Sequence, residues 1–241
     1  AIVAQAFLIA ASGRPGPVVI DLPKDILMGL GQYEDFSQVE HRTYQPTIKA
    51  GKSEIEKAVS MIASAKKPLF YCGGGVINSG PKASKQLGRL VRLTGAPITL
   101  TLMGLGAYPA TDKQFLGMLG MHGTYEANLA MHDADLIVAV GARFDDRITG
   151  RLDAFAPNSE KIHIDIDPSS INKNVAVDLP IVGDVGRVLD QMLRVWKDKK
   201  KALERARGRG AVDRLLQGTP EDIQRLAAEM GLVDIAKPSA R

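Results

Sequence analysis

Four of the five residues from Arg143 to Arg147 are charged, and they follow directly on the apolar run "ADLIVAV" at residues 134–140. Arg143 and Arg147 carry planar, permanently charged forks that suit a phosphate or a carboxylate, and Asp145 and Asp146 lie between them. The same spacing also suits surface salt bridges, each worth about 0–1 kcal/mol. The residues alone leave both readings open. A second set is "CGGGVINSG", where Gly73, Gly74 and Gly75 follow the apolar run "PLFYC". Bare backbone at a strand-to-helix turn lets N–H groups approach a diphosphate. Asn78 stands where the dinucleotide fingerprint has its third glycine, and a tight turn needing positive φ explains the glycines equally well.

Three carboxylates form a third set. "HIDID" puts Asp165 and Asp167 at the end of an apolar run, and "VGDV" puts Asp184 just ahead of a helical pattern. Such groups can accept hydrogen bonds from ribose hydroxyls or an adenine amino group. Asp167 precedes Pro168 and Asp184 precedes a helix, so each is also a candidate N-cap. "GMLGMHG" offers Met121 and His122 on a glycine-flanked loop that can bend close to a flat ligand. His41, His122, His132 and His163 have no spacing that pairs them with Cys or carboxylates, and no Ser/His/Asp order stands out, so no metal is expected. The one cysteine, Cys72, cannot form an internal disulfide and reads as a buried small hydrophobe.

Apolar runs at "PLFYCG", "APITLTL", "DLIVAVG", "KIHIDID" and "LPIVGD" alternate with helical stretches at "PKASKQLGRLVRLTG", "TYEANLAMHDA" and "VGRVLDQMLRVW". This alternation predicts an α/β fold, a Rossmann-like parallel sheet of five or six strands with helices on both faces, over residues 53–196. Ser53 and Glu56, at capping-box spacing, are expected to open its first helix. In open parallel sheets ligands sit outside the carboxyl ends of the strands, which is where the charged and glycine-rich loops fall. Before this unit, a helix ending near Gly13 and a short strand "PVVIDLP" closed by Pro23 read as the end of a preceding domain whose beginning is missing. Residues 24–52 read as a linker, and residues 197–241 as a basic helical or disordered tail without a further strand.

With 241 residues, 45% of them hydrophobic, the chain can bury a core. Its net charge of +4 is local, because residues 197–214 hold eight Lys/Arg and three Asp/Glu and leave the remainder at −1. Without aromatic interleaving or a nucleic-acid module, that stretch reads as a solvated helix end, and no nucleic-acid partner is expected. No run reaches the roughly 18 apolar residues of a membrane helix, and the first residues lack the basic start of a signal peptide. A cytoplasmic protein without a membrane partner is expected.

Together, "SGRPGPVVIDLPKDI", "KPLFYCGGGVINSG", "LTGAPITLTLMGLGAYP", "LGMHGTYEANLAMHDADLIVAVGARFDDRITG" and "IHIDIDPSSINKN…VGDV" resemble the large catalytic subunit of the acetohydroxyacid synthase (acetolactate synthase) family over roughly residues 1–196. The resemblance implies a three-domain enzyme. Its outer domains bind thiamine diphosphate and Mg²⁺ across a dimer interface, and its central domain binds FAD. Residues 1–23 would be the remnant of the first, pyrimidine-binding domain, and residues 53–196 the FAD-binding domain. The family's catalytic glutamate and its "GDG…N" motif have no counterpart here, and residues 197–241 do not resemble its third domain. The isolated chain is therefore expected to be catalytically incomplete, with no catalytic residue in this segment.

By the same resemblance, Arg14, Gly74, Gly75, Thr101, Leu102, His122, Gly141, Arg143, Asp145, Asp165 and Asp184 fall where the family contacts FAD. Lys24, Met121, Asp146 and Arg147 match positions lining its substrate channel, with Arg147 expected to help hold the carboxylate of the acceptor 2-keto acid. The implied reaction joins a hydroxyethyl group from decarboxylated pyruvate to a second pyruvate or to 2-ketobutyrate, in branched-chain amino-acid biosynthesis. The flavin is not needed there for redox. The complete enzyme would be a homodimer or homotetramer with a possible regulatory small subunit. The alternative is a stand-alone nucleotide-binding α/β module that acts as a sensor or interaction domain.

Overall fold

The computed structural model describes residues 1–33 and 40–206, with side chains up to Asp198. The apolar runs form a single six-stranded sheet: β1 (Pro68–Cys72), β2 (Ile98–Leu100), β3 (Phe115–Met118), β4 (Leu136–Val140), β5 (Glu160–Asp165) and β6 (Leu179–Val182). Every neighbouring pair is parallel, and the strand order is β3-β2-β1-β4-β5-β6. The chain thus winds outward from β1 to one edge, returns to the centre, and winds from β4 to the other. Between β1 and β4 the direction reverses, which leaves a crevice above their carboxyl ends.

Eight helices accompany the sheet among the described residues: α1 (Ile2–Ala11), α2 (Lys24–Met28), α3 (Lys52–Ser64), α4 (Gly74–Asn78), α5 (Pro81–Thr94), α6 (Tyr125–Asp133), α7 (Asp146–Thr149) and α8 (Val185–Ala206). Alternation along each central strand feeds two cores. Phe70, Cys72, Val138, Val140, Ile162 and Ile164 face α3, α5 and α8, whereas Leu69, Tyr71, Ile137 and Ala139 face α6 and Phe144. With both faces covered, β1 and β4 are apolar apart from the Tyr71 hydroxyl. Val185, Val188, Leu189, Met192 and Leu193 are buried on α8 at the spacing of one helix face. Proline at the start of α5 and left-handed Gly95 at its end (φ 74°) fix the limits of that helix. None of these helices is long and apolar enough to cross a membrane.

Four local expectations change. The segment "PVVIDLP" forms no strand: it finds no ladder partner among the described residues, and Val19 is 93% exposed. An apolar run without a partner cannot satisfy its backbone as a strand. The first helix of the sheet unit opens one residue early, at Lys52, and the Glu54 carboxylate accepts from the Gly51 N–H at 2.7 Å. The anticipated Ser53–Glu56 pairing is displaced because that N–H is the one a third-position glutamate can reach. Strand β3 emerges from a stretch without clear periodicity; it is four residues long and only half-buried, and it contains Gly117 at φ 96°. Lastly, α8 passes through residue 197 without a break, so the boundary drawn at 196 falls inside one helix, and 207–241 lie outside the described residues.

Leu87 of α5 is fully buried in the larger core. Leu87→Ala is expected to cost about 2–5 kcal/mol of unfolding free energy, read from urea midpoints, because the void cannot collapse fully.

Candidate functional site

The loops leaving β1 and β4 meet backbone to backbone. The Gly73 N–H donates to Val140 O at 3.0 Å and the Gly75 N–H to Gly141 O at 2.9 Å. A Cβ on Gly75 would lie 2.6 Å from Gly141 Cα, and one on Gly141 would lie 2.7 Å from Gly75 Cα. Gly141 also has φ 55°, whereas Gly73, Gly74 and Gly75 have no positive φ. Gly73 and Gly75 are therefore required by close approach to the Gly141 loop, Gly74 is only crowded by Met103, and the tight-turn explanation does not apply to them. The floor of the crevice is bare main chain.

Around this floor the other loops are held one by one. Thr101 Oγ1 accepts from the Gly104 N–H at 3.1 Å and turns residues 102–104 over the end of β2. Leu102 and Met103 stay 68% and 75% exposed on that turn, and a Cβ on Gly74 would come within 3.2 Å of Met103. Beyond β3, both carbonyl and N–H of Gly120 bond the Asn128 amide, and the Met121 N–H donates to Arg147 O at 3.0 Å. The substrate-channel candidates Met121, Asp146 and Arg147 are thus brought together, with exposed His122 alongside. Lys24 is not joined to them: it starts the exposed helix α2, and its side chain has no hydrogen bond or ion pair among the described residues.

Arg143 pairs with Asp145 at 2.7 Å, both roughly half exposed, and Arg147 stands 3.8 Å from Asp146 in full solvent contact. At the end of β5, Arg14 reaches Asp167 at 3.0 Å, and this pair borders a groove of about 430 Å³ between residues 9–18, residues 43–47 and Ile166–Pro168. Asp167 also caps the turn at Pro168, accepting from the Ser169 N–H. Burial alone would raise its pKa, but the Ser169 and Arg14 hydrogen bonds outweigh it and hold the carboxyl below the usual range. Asp184 is a cap as well: its carboxylate accepts from the Arg187 N–H at 3.0 Å and from the Ser79 hydroxyl at 2.7 Å, tying α8 to α4. Both capping readings hold for these two residues.

Asp165 accepts from the Asp167 N–H at 2.9 Å and lies beside His163 on the face of β5 that also carries Lys161. Burial raises Asp165 and lowers His163, and each partly offsets the other through its charge. Burial lowers Lys161 too; its ammonium donates to Ser159 O at 2.7 Å. Sequence reasoning passed over Tyr71, His163 and Asn174, which all touch the loop bearing Arg143. A polar residue on the inward side of an apolar strand was the available signal for the first two.

The description "Thiamine pyrophosphate enzyme, central domain" covers residues 55–192 in a match to that family's profile. The chain is 53% identical over 197 residues to the acetolactate synthase large subunit of Haemophilus influenzae, covering 81% of this chain and 34% of that protein. It is 53% identical over 193 residues to the acetolactate synthase isozyme 3 large subunit of Escherichia coli, 79% of this chain and 33% of the relative. With the acetolactate synthase of Mycobacterium bovis it shares 48% identity over 196 residues, 81% of this chain and 31% of that one. The chain spans about a third of the length of these curated relatives.

Two outcomes follow from the geometry. Gly75→Ala should cost about 1–3 kcal/mol, because backbone on the facing loop must give way; Gly31→Ala, with open space around it, should stay within about 0.5 kcal/mol by the same denaturant assay. Folded His163 takes up a proton less readily than the unfolded chain, whose imidazole titrates near the ordinary 6.5. Its contribution is therefore complete above that pH and is lost as pH falls, while Asp165, raised by burial, works in the opposite direction. Urea midpoints should drop between about pH 7 and about pH 5, and His163→Gln should flatten or reverse that slope.

Proposed function

The chain belongs to the thiamine pyrophosphate enzyme family through its central domain, and from that premise we propose that it is the flavin-holding portion of an acetolactate synthase large subunit. The observation that supports this reading is the meeting of the glycine-rich loop after β1 with Gly141 after β4, where the strand order reverses, with exposed Leu102 and half-exposed Arg143 on the neighbouring loops. A Cβ at Gly75 or Gly141 would collide with the facing loop, one at Gly74 would crowd Met103, and the exposed Leu102 supplies apolar surface for a flat ring. These features fit FAD.

On this reading Gly74, Gly75, Thr101, Leu102, His122, Gly141, Arg143 and Asp145 hold the flavin and its diphosphate. Arg14, Asp165 and the groove beside β5 serve the far end of the dinucleotide, and Asp184 fixes the start of α8 next to α4. FAD would supply no electron transfer to the reaction and would act as part of the site's architecture. Arg147, aligned by its carbonyl against Met121, would orient the carboxylate of the acceptor 2-keto acid, with Asp146 beside it, whereas Lys24 stands apart from this group. The reaction is the condensation of two pyruvates, or of pyruvate and 2-ketobutyrate, to 2-acetohydroxy acids. Thiamine diphosphate and Mg²⁺ would be held by parts of the complete enzyme outside this span. The complete enzyme would assemble as a homodimer or homotetramer and pair with a small regulatory subunit, as the relatives' "large subunit" names suggest.

The full chain is expected to bind FAD with quenched flavin fluorescence, and Arg143→Ala and Asp165→Asn are each expected to weaken binding about tenfold, equivalent to roughly 1.4 kcal/mol. Incubated with pyruvate, thiamine diphosphate and Mg²⁺, it is expected to form no 2-acetolactate. Saturation by ADP or NAD but not by FAD would instead support a stand-alone nucleotide-binding module.

A further inference from the structure

The loop that carries Arg143 and Asp145 is neither helix nor strand between Gly141 and Asp145, yet three consecutive carbonyls in it each receive a side-chain donor from a different part of the fold. His163 Nε2 on β5 lies 2.8 Å from Ala142 O. The Tyr71 hydroxyl on β1 donates to Arg143 O at 2.9 Å. Asn174 Nδ2, between β5 and β6, donates to Phe144 O at 2.7 Å. The Phe144 ring, itself buried, fills the space between the donors, with its centroid 5.6 Å from Tyr71 and 5.3 Å from His163. Ala142 and Phe144 face inward while Arg143 and Asp145 face out.

Both ring donors are fixed in their protonation. Burial pushes the Tyr71 phenol up, so its hydroxyl keeps its proton, and burial pushes His163 down, so it is neutral and has one N–H. The short contact to a carbonyl assigns that N–H to Nε2, and Nδ1 is left buried without a hydrogen-bond partner. Surface loops ordinarily satisfy their carbonyls with water or with their own turns. Here Tyr71 and His163 are buried within the fold and Asn174 reaches the loop from an exposed turn, so the exposed side chains between them are displayed from a backbone whose carbonyls are held by the protein's own side chains. Ordering done before a ligand arrives is not charged against its affinity.

We propose that Tyr71, His163 and Asn174 are positioning residues that hold the Gly141–Asp145 backbone in its ligand-ready path, so that Arg143 and Asp145 meet an incoming phosphate- and ribose-bearing ligand already aligned. The inference rests on the flavin reading of the crevice for the identity of that ligand, and on the three carbonyl contacts for the mechanism. No one of the three touches the ligand in this scheme.

The test uses the full chain with Tyr71→Phe, Asn174→Ala, His163→Leu and His163→Gln, and with Ile164→Val as a core control. Two readouts are taken: hydrogen exchange of the amides in residues 142–149, and FAD affinity by fluorescence quenching. Tyr71→Phe and Asn174→Ala should each speed exchange in that segment and weaken FAD about fivefold, whereas Ile164→Val, compared at matched Tm change, should alter neither. His163→Gln, which keeps a donor, should recover most of what His163→Leu loses; if the leucine variant fails to fold, Tyr71→Phe, which keeps its ring, carries the comparison. Unchanged loop exchange in Tyr71→Phe, or flavin affinity that follows Tm alike in every variant including the control, would overturn the proposal. If the unsubstituted chain takes up no FAD, the flavin reading falls by itself, and the exchange data still decide whether the three donors hold the loop.

Discussion

The contact on which this structure depends is the meeting of two stretches of bare main chain, Gly73–Gly75 beyond β1 and Gly141 beyond β4. Hydrogen bonds at 2.9 Å and 3.0 Å lock them together, and no side chain fits between them. The strand order forces the encounter: β1 and β4 are neighbours, their connections leave in opposite directions, and the first residues of both loops must share one gap. Had either loop carried a Cβ there, the strands could still pair, but the loops would splay and the crevice would lose its floor. Every other part of the candidate site is arranged around that floor, from the Thr101 turn to the Met121–Arg147 contact.

Much of this was legible because buried parallel strands leave a plain mark. "PLFYC" and "LIVAV" are apolar but for the Tyr71 hydroxyl, since two layers cover them. What the sequence hid was context. "PVVIDLP" has a strand's composition, but composition supplies no ladder, and the described residues offer it none. Strand β3 shows the converse, since pairing with β2 makes a strand of four residues whose own pattern, interrupted by Gly117, would not specify one. The start of α3 turned on which N–H a carboxylate could reach, a matter of one residue that spacing rules do not resolve.

At the site, the charged residues announced themselves and the groups that hold them did not. Arg143, Asp145, Asp146 and Arg147 stand out as a cluster in the sequence, while Tyr71 and His163 are single polar letters inside apolar runs and Asn174 sits in an unremarkable turn. Their importance lies in what they point at, the carbonyls of a distant loop 72, 21 and 30 residues away. Only the three-dimensional register of β1 and β5 against β4 converts those letters into donors. The carboxylates divide in the same manner. Asp167 and Asp184 satisfy the caps their neighbours advertise, whereas the burial of Asp165 follows from its place on a central strand and not from any local pattern.

Each of the site's three guanidinium groups, on Arg14, Arg143 and Arg147, has a carboxylate as its nearest charged partner in the free chain: Asp167, Asp145 and Asp146. This pairing fits an anion site better than three unaccompanied cations would. A carboxylate beside each arginine offsets the like-charge repulsion that unaccompanied cations would feel. Each arginine side chain is about half exposed or more, so exchanging its carboxylate for a ligand oxygen forfeits only the roughly 0–1 kcal/mol that such a surface pair supplies. The guanidinium keeps its planar fork through the exchange and needs no change of protonation. Arg14 gains one thing more from its partner: Asp167 is anchored by its own cap at Ser169, so the pair draws residues 9–18 to the end of β5 and keeps a groove of about 430 Å³ between them. On the flavin reading proposed above, these ion pairs would set where the cations stand in the free chain while costing little to rearrange.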